Sequence, residues 1–504
     1  MLPAEGQFDG KPFDLHPSQA FKIGNIFGWK REDGTRRFRR AYIEEGKGNG
    51  KPICLETPIP TPSGWARFGD LKVGDEVFDE FGKVCRIIGE TPVMTDEPCY
   101  RMKFSDGEEI IAGSGHLWKT SALRTGGKKG PKPADAPRKG QYAIRTTKQI
   151  ADTLTIKESS SKHPQAKWNH RVDVAGALEL PEIELPISPF AFGAWLGDGD
   201  SAYPQLTYGY SDREMIENIE ASGVPCRELK GRRDSTGKVF LGGPGEWTEK
   251  LRNLGVVNNK HIPEIYLRAS KDQRLALLQG LMDSDGFIAP HGQCELTLCS
   301  EKLANGAMEL LYSLGFKPMR KICDAKLYGR VTSQRHRIMF NPYSDMPVFR
   351  LSRKVARLKD PPKTRSLSKG RMIVACDPID PVPVKCITVD SPNSMFLCGR
   401  TFIPTHNSPM AGGIALLGLC GDAESGSQVY AIASHKDQAG ILFRDAVSMV
   451  KASPTLQKRL AFSGGEGREY NIAHHASASF FRPASRDVGK TGSGYRPYFV
   501  LADE

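Results

Sequence analysis

Three places in the sequence hold residue types that do chemistry when they are brought together. The glycine-rich run Lys47-Gly48-Asn49-Gly50-Lys51 has the composition of a loop that wraps phosphate with backbone N–H groups. In His406-Asn407-Ser408, the asparagine amide can attack its own carbonyl and cut the chain, while the serine is a nucleophile. Asp198 and Asp285 each end an apolar, glycine-containing segment, and paired carboxylates are ligands for a divalent cation.

The glycine-rich run is incomplete as a phosphate-binding loop. Such a loop needs a serine or threonine after its lysine, for Mg²⁺, and a helix that follows directly. Pro52 follows Lys51 instead and lacks the N–H that the helix start requires. If Lys51 is joined to Ser408, the loop is complete and a helical segment follows from Met410. The sequence therefore predicts that residues 52–407 interrupt one protein.

The last residues supply the second half of a nucleotide site. The apolar strand Tyr498-Phe499-Val500-Leu501-Ala502 ends in Asp503-Glu504. An acid at the end of such a strand lies near Mg²⁺, and the next acid positions the attacking water. We predict that Asp503 is a metal ligand and that Glu504 is catalytic.

The joined flanks resemble the ATPase domain of phage terminase large subunits, over roughly residues 8–51 and 408–504. The resemblance rests on Lys47, on Phe27-Gly28-Trp29 before Arg36-Arg37-Phe38-Arg39, and on Ala433-Ser434-His435-Lys436. It implies an ATP site at Lys47, Gly48, Gly50, Lys51 and Ser408, with ATP and Mg²⁺ as cofactors of the joined protein. It also implies phage DNA-packaging components as partners and a bacterial host cell.

The interrupting segment resembles an intein, because a His-Asn pair before Ser is the C-terminal signature of that family. In this resemblance His406 polarises the Asn407 carbonyl, and Ser408 receives the upstream segment. The first residue is Pro52 or Cys54. We favour Pro52 for two reasons. Excision before Cys54 would leave Pro52-Ile53 inside the phosphate loop. The resemblance also points to Pro52, because in inteins a Thr-Pro pair usually stands five residues after the first residue, as Thr57-Pro58 does here.

Proline carries no nucleophile, and three markers match the class 3 inteins, which use an internal cysteine. The markers are Trp118 two residues after His116, Cys386 in Val384-Lys385-Cys386-Ile387-Thr388-Val389, and Thr405 before His406. The resemblance implies that Cys386 attacks the carbonyl of the Lys51–Pro52 peptide with help from His116. The acyl group then passes to Ser408, Asn407 cyclises, and Lys51 is ligated to Ser408. No cofactor is implied for splicing.

Two positions depart from the usual intein pattern. Gly113 occupies the place where a threonine is usual, and Asn393-Ser394 stands where many inteins have a histidine. Two alternatives stay open: a class 1 intein with Cys54 as nucleophile, and a splicing-defective protein that binds or cuts DNA.

Two segments within the insertion are predicted to be helices with small residues on one face. They are Phe192-Gly193-Ala194-Trp195-Leu196-Gly197-Asp198-Gly199 and Leu278-Gln279-Gly280-Leu281-Met282-Asp283-Ser284-Asp285-Gly286. Close packing of the two helices brings Asp198 and Asp285 together as ligands for Mg²⁺. The segments resemble LAGLIDADG homing endonucleases, which implies double-stranded DNA as partner and Lys260 as an assisting catalytic residue.

Composition and length agree with a multidomain protein. The chain has 504 residues, 39% hydrophobic and 25% charged, and a net charge of +12 that suits a polyanionic partner. The sequence shows no membrane-spanning run and no leader, so we expect a cytoplasmic protein without a membrane partner.

These observations predict a fold of three nested modules. An all-β splicing domain of the Hint type (52–150 and 370–407) holds an inserted α/β endonuclease (175–365). Both lie within an α/β P-loop ATPase fragment, at 1–51 and 408–504.

Overall fold

The computed structural model describes most of residues 52–485 and a short C-terminal segment. The described ranges are 52–122, 142–157, 166–229, 235–327, 330–362, 370–391, 393–406, 410–420, 426–433, 454–465, 469–485 and 497–502, with a few single residues in the flanks. Separate hydrophobic cores lie in three parts of the chain: the β unit (52–173 and 370–406), the α/β unit (174–362) and the C-terminal flank (410–502). Among the described residues, no helix combines the length and apolar character needed to cross a membrane.

The β unit consists of short strands and one short helix, α1 (Thr147–Asp152). Its strands before the α/β unit are β1 (Ile53–Cys54), β2 (Pro58–Thr61), β3 (Gly64–Arg67), β4 (Glu76–Phe78), β5 (Val84–Glu90), β6 (Cys99–Phe104), β7 (Glu109–Gly113), β8 (Leu117–Ala122), β9 (Tyr142–Thr146), β10 (Thr155–Lys157), β11 (Ala166–Trp168) and β12 (His170–Asp173). Those after it are β20 (Gly370–Ile379), β21 (Val384–Lys385), β22 (Ile387–Val389), β23 (Met395–Cys398) and β24 (Ile403–His406). The β unit thus extends to Asp173, beyond the predicted boundary at 150.

One ten-stranded sheet brings the two halves of the β unit together. Its order is β21-β1-β7-β6-β20-β12-β8-β24-β23, with β9 paired to β8. Both ends of the insertion therefore enter the same sheet: β1 follows the first junction, and β24 precedes the second. Alternation of buried and exposed residues along β5 and β6 places one face on the core.

The α/β unit contains two similar halves. Its first half holds α2 (Pro189–Asp198), β13 (Gln205–Gly209), α3 (Glu214–Ala221), β14 (Cys226–Glu228), β15 (Thr236–Leu241), α4 (Glu246–Asn253) and α5 (Glu264–Leu267). The second holds α6 (Lys271–Ser284), β16 (Gly286–Ile288), β17 (Cys294–Leu298), α7 (Glu301–Ser313), β18 (Met319–Leu327), β19 (Arg330–Phe340) and α8 (Ser352–Val355). Each half has its own antiparallel sheet, ordered β13-β15-β14 and β16-β17-β19-β18.

Helices α2 and α6 pack against each other at glycines. A Cβ added to Gly193 would lie 2.1 Å from the backbone oxygen of Leu277, and one added to Gly280 would lie 2.0 Å from that of Phe190. Only hydrogen fits at either position, so the two backbones are in direct contact. Ser188-Pro189 starts α2 with proline at a position where its missing N–H costs nothing. A capping box between Ser270 and Gln273 starts α6.

The β unit and the α/β unit are packed on each other through a mixed interface. Trp65 of β3 donates its ring N–H to Glu309 Oε1 of α7 at 2.9 Å, and Arg268 contacts the same oxygen at 2.8 Å. Arg371 forms a fully buried ion pair with Asp106 and lies 5.2 Å from the ring centre of Tyr312. The contacts of Trp65 with Glu309 and of Arg371 with Tyr312 therefore join the β unit to α7 of the α/β unit.

The C-terminal flank forms a mixed sheet under one apolar helix. Helix α9 (Met410–Cys420) packs on the sheet that contains β25 (Gln428–Ala433), β26 (Leu460–Ser463), β27 (Asn471–His474), β28 (Ser479–Ser485) and β29 (Phe499–Ala502), and a short helix, α10 (Pro454–Arg459), precedes β26. Strand β25 lies between β28 and β29 and is parallel to both. The predicted helix from Met410 and the strand before Asp503 are therefore both present.

Candidate functional site

The first junction lies beside Cys386. Strands β1 and β21 are antiparallel, with Ile53 opposite Lys385 and Cys54 opposite Val384. Pro52 and Cys386 are the residues that come next to this pairing, before Ile53 and after Lys385. Side chains directly opposite in an antiparallel pair lie on the same face, with Cβ atoms about 5 Å apart. The side chains of Pro52 and Cys386 are both buried.

Pro52 is held on its other side by Gly113 of β7. The Gly113 N–H donates to the Pro52 carbonyl at 2.8 Å. A Cβ on residue 113 would lie only 2.6 Å from Pro52 Cγ and 3.0 Å from Pro52 Cδ. The proline ring thus fills the space that a side chain at position 113 would need. Gly113, which stands where the usual intein pattern has a threonine, thus leaves room for the ring of Pro52.

Two anchors fix the strand that carries Cys386. The Cys386 N–H donates to Thr91 Oγ1 at 3.0 Å, and the Thr91 N–H donates back to the Cys386 carbonyl at 3.0 Å. The neighbouring Lys385 is buried and donates to the Gly69 carbonyl, the Leu71 carbonyl and Glu90 Oε2. A buried ammonium needs such partners, and here they tie β21 to the turn after β3.

His116, Trp118 and Thr405 form one buried cluster. His116 Nε2 and Thr405 Oγ1 share a short hydrogen bond, and the His116 ring meets the Trp118 ring edge to face, with centres 4.8 Å apart. Trp118 Nε1 donates to Thr147 Oγ1 at 3.0 Å, and the Thr147 N–H donates to the His116 carbonyl at 2.8 Å. Trp118 therefore packs against the His116 ring and, through Thr147, is also linked to the His116 backbone.

A tight turn links this cluster to the first junction. The His116 N–H donates to the Gly113 carbonyl at 3.0 Å, so the histidine follows directly on the glycine that contacts Pro52. Thr405 lies on β24, whose next residue, His406, is paired with Leu117. The same cluster therefore connects the first junction with the strand that leads to the second.

Several predicted splicing residues lie outside the described residues. They are Lys51, Asn407 and Ser408, and of His406 only the strand position is described. Cys54, the alternative nucleophile, lies two residues beyond Pro52 on β1, opposite Val384. At the second departure from the family pattern, Asn393 donates to Glu80 Oε1 at 2.5 Å, and Ser394 has a positive φ of 50°. These two residues thus form a turn before β23.

The two predicted acids meet where α2 and α6 end. The carboxyl groups of Asp198 and Asp285 are close enough to interact with each other. Both side chains remain open to solvent, yet partial burial raises both pKa values, that of Asp285 to about 6. The neighbouring Asp198 carboxylate adds to the shift of Asp285. Two neighbouring, partly buried carboxylates are suited to hold a divalent cation between them.

Lys260 lies beside these acids. Its ammonium donates to the carbonyls of Gly197 at 3.0 Å and Gly199 at 2.7 Å, at the C-terminal end of α2. Burial lowers its pKa to about 8, against the opposing pull of Asp285 and Asp198. A lysine with a lowered pKa next to paired carboxylates is suited to proton transfer.

A second lysine, which the sequence analysis missed, occupies the equivalent place in the other half. Lys354 donates to the carbonyls of Met282, Asp283 and Gly286, at the C-terminal end of α6. Burial lowers its pKa to about 8 as well. The sequence separation between Asp285 and Lys354 is similar to that between Asp198 and Lys260. That repeated spacing is the signal that could have revealed it.

The predicted nucleotide site is outside the described residues. Lys47, Gly48, Gly50, Lys51, Ser408, Asp503 and Glu504 all belong to the segments that the structure leaves undescribed. The neighbouring elements are described: Gly418 of α9 lies against Phe499 of β29. The helix that follows Ser408 therefore packs on the strand that leads to Asp503.

The relatives found by comparison with known sequences include two proteins of the same name. The replicative DNA helicase DnaB of Mycobacterium intracellulare is 34% identical over 394 residues, which are 76% of this chain and 63% of that protein. The protein of the same name from Mycobacterium leprae (strain TN) is 36% identical over 118 residues, 23% of this chain and 16% of that protein. The chain thus spans less than two thirds of either relative. No family model matches it.

Comparison with solved structures gives inteins, homing endonucleases and a terminase. The MchDnaB-1 intein is 32% identical, with 23% of this chain and 73% of that one covered and a TM-score of 0.16. The homing endonuclease I-DmoI, in complex with DNA and Mn, is 13% identical, with 31% and 89% covered and a TM-score of 0.22. The HK97 bacteriophage large terminase is 29% identical, with 18% and 19% covered and a TM-score of 0.17. Since the sequence relatives are named helicases, they do not support a terminase as the interrupted protein.

Proposed function

We propose that residues 52–407 are a self-splicing intein with Cys386 as its first nucleophile. The proposal is supported by the register of β1 and β21, in which Ile53 is opposite Lys385. Extension of this register by one residue would set Cys386 opposite Pro52. The two flanks make up less than a third of the chain, so the match to the Mycobacterium intracellulare protein over 76% of it lies mostly within 52–407.

In the first step the Cys386 sulfur attacks the carbonyl carbon of residue 51. A thioester bond forms, the Lys51–Pro52 amide bond breaks, and the thiol proton ends on the Pro52 nitrogen. His116 is the group that moves this proton, because its ring lies one tight turn from Gly113, which binds Pro52. Its hydrogen bond to Thr405 and its contact with Trp118 hold the ring in one orientation.

The later steps return a normal peptide bond. The Ser408 hydroxyl attacks the thioester, which leaves an ester on Ser408 and frees the Cys386 thiol. The Asn407 side-chain nitrogen then attacks its own carbonyl, polarised by His406, and releases residues 52–407 with a C-terminal succinimide. The free amino group of Ser408 finally takes over the acyl group and joins Lys51 to Ser408.

We also propose that the α/β unit is a DNA endonuclease of the LAGLIDADG type. The proposal is supported by the contact between α2 and α6 and by the lysines beside Asp198 and Asp285. Asp198 and Asp285 would hold Mg²⁺, which when bound neutralises charge at a phosphate. Lys260 and Lys354 would transfer protons, and the antiparallel sheets would contact the grooves of double-stranded DNA.

For the flanks we propose a P-loop ATPase assembled by splicing. Support comes from the complete phosphate loop that forms when Lys51 is joined to Ser408, and from the packing of α9 on β29. Our sequence interpretation favours a terminase large subunit with a role in DNA packaging. A helicase resembling the mycobacterial DnaB proteins is the rival host. Binding of ATP by the ligated product tests whether the joined flanks are a P-loop ATPase. Whether that product translocates along double-stranded or single-stranded DNA distinguishes a terminase from a helicase.

Splicing of the full chain tests the central proposal. We would follow the ligated flanks and the excised segment by intact mass for wild type, Cys54→Ala and Cys386→Ala. We expect Cys54→Ala to ligate and Cys386→Ala not to ligate. The reverse pattern would support a class 1 intein that starts at Cys54. Failure of the wild type to ligate would leave the endonuclease as the activity of the chain.

A further inference from the structure

We propose that Glu97 is the counter-ion of the amino group that Pro52 gains when the chain is first cut. The inference rests on the proposed function, because it concerns the product of the first acyl transfer. Glu97 lies in the loop between β5 and β6 and was not among the residues that the sequence singled out.

Contacts around Gly113 place Glu97 at the first junction. A Cβ added to Gly113 would touch the Pro52 ring. It would also lie 3.0 Å from Glu97 Cγ. The Glu97 stem and the Pro52 ring are therefore neighbours across one glycine. The carboxylate continues from there to Ser114, whose hydroxyl donates to Glu97 Oε1 at 3.5 Å. Glu97 is half-buried, so its charge is only partly screened by solvent.

The surrounding backbone fixes this position. Cys99 Sγ donates to the Glu97 carbonyl at 3.2 Å, and the Ser114 N–H donates to the Pro98 carbonyl at 2.7 Å. Cys99 is opposite Gly113 in the pairing of β6 and β7. The negative charge of Glu97 also contributes to the raised pKa of the Cys99 thiol, after burial. The carboxylate thus acts on the face of the sheet that carries Pro52.

The chemistry of the first step explains what a carboxylate does there. Transfer of an acyl group from an amide nitrogen to sulfur is unfavourable, and the freed amine can attack the thioester and reverse it. The thiol proton makes Pro52 a neutral secondary amine, and a second proton from solvent makes it a cation that no longer attacks. An α-amino group takes up this proton near about pH 8. A carboxylate in contact raises the pKa of the amine by about one unit or more.

The sign of the pH dependence follows. When the pH is below the pKa of the Pro52 amine, raising that pKa by one unit multiplies the ratio of branched thioester to linear chain by about ten. When the pH is above that pKa, the amine is neutral with or without Glu97. The increase in the branched-to-linear ratio that Glu97 causes is therefore lost as pH rises. Toward acid pH it shrinks again because carboxylates take up protons. The other titratable groups near this face are Cys54 on β1, Cys386 between β21 and β22, Cys99 on β6, Asp96 in the same loop, and Lys148 of α1, which is paired with Asp152.

The test uses the full chain with Asn407→Ala and Ser408→Ala, which stops the reaction at the Cys386 thioester. Hydroxylamine cleaves the thioester and releases residues 1–51, and the released fraction measures the branched form between pH 5.5 and 9. We expect Glu97→Gln to lower the ratio of branched to linear chain about tenfold near pH 7, and to approach the parent as pH rises. Asp96→Asn, the exposed neighbouring carboxylate, is the matched control and should change the ratio less than twofold.

Each other outcome has a defined meaning. A Glu97→Gln ratio equal to that of the parent would overturn the inference and leave the proposed function intact. A loss that is the same at every pH would show a structural role and would also overturn it. If the hydroxylamine-sensitive linkage forms equally well with Cys386→Ala, both the inference and the proposed function fail. Partial recovery of the ratio by Glu97→Asp would support a role for the charge.

Discussion

Replacement of Gly113 by alanine adds one methyl group at the tightest contact around Pro52. The new Cβ would lie 2.6 Å from Pro52 Cγ and 3.0 Å from both Pro52 Cδ and Glu97 Cγ. Carbon atoms in contact are normally about 3.5–4.0 Å apart. Glu97 can bend away because its side chain is flexible, but the Pro52 ring is rigid. Strand β1 must therefore move by about 1 Å relative to β7.

The cost can be estimated in two parts. Overpacking of this kind typically costs about 1–3 kcal/mol, and a displacement of about 1 Å between reacting groups can cost about 100-fold in rate. The hydrogen bond from Gly113 to the Pro52 carbonyl lies at the same place and is stretched by the movement. We expect Gly113→Ala to slow the first acyl transfer about 10- to 100-fold.

The assay is a time course of ligated product and of hydroxylamine-sensitive thioester. Gly209→Ala is the matched control, since the nearest atom to its added Cβ is Ser211 Oγ at an ordinary 3.5 Å. Removal of the ring by Pro52→Gly in the Gly113→Ala background should restore much of the lost rate. A Gly113→Ala chain that reacts as fast as wild type would refute the predicted contact with Pro52.

Three further predictions concern the α/β unit. Gly280→Ala should lower the free energy of unfolding by about 2–4 kcal/mol, because its Cβ meets the backbone of Phe190; an unchanged calorimetric transition would contradict the helix contact. Lys260→Met and Lys354→Met should each convert double-strand cleavage of a plasmid target into nicking, because each lysine lies at one of the two helix ends; full linearisation by either variant would contradict this. Since the pKa of Asp285 is raised to about 6, its ionisation destabilises the fold as pH rises from about 4 through 6. In the presence of chelator, Asp285→Asn should therefore be more stable than wild type at pH 7.5, by about 1 kcal/mol after allowance for solvent screening, and equal to it at pH 4, as followed by thermal denaturation.

The parts of the fold that follow local rules were predictable from the sequence. Glycines spaced along an apolar segment permit close helix contact, and for that reason α2 and α6 with their terminal acids could be predicted. The helix from Met410 and the strand before Asp503 follow from apolar runs bounded by polar residues. Strand ends depend on tertiary contacts as well: β3 ends at Arg67, and the apolar Phe68 begins a short 3-10 turn.

Features that depend on the meeting of distant segments were not predictable. Lys354 has a role only because the second half of the α/β unit repeats the first. The buried pair of Arg371 and Asp106 joins β20 to the turn between β6 and β7, and these two segments are separated in the sequence by the whole α/β unit. Gly113 could be recognised as a departure from a family pattern, but its match to Pro52 needs the register of β1 and β7.

The account depends most on which residue carries the acyl group after the first step. The chain with Asn407→Ala and Ser408→Ala would be trapped at this stage, digested at low pH and sequenced by tandem mass spectrometry. We predict a peptide in which the carboxyl group of Lys51 is bound to the sulfur of Cys386. Attachment to Cys54 would contradict the internal-cysteine mechanism and the boundary at Pro52.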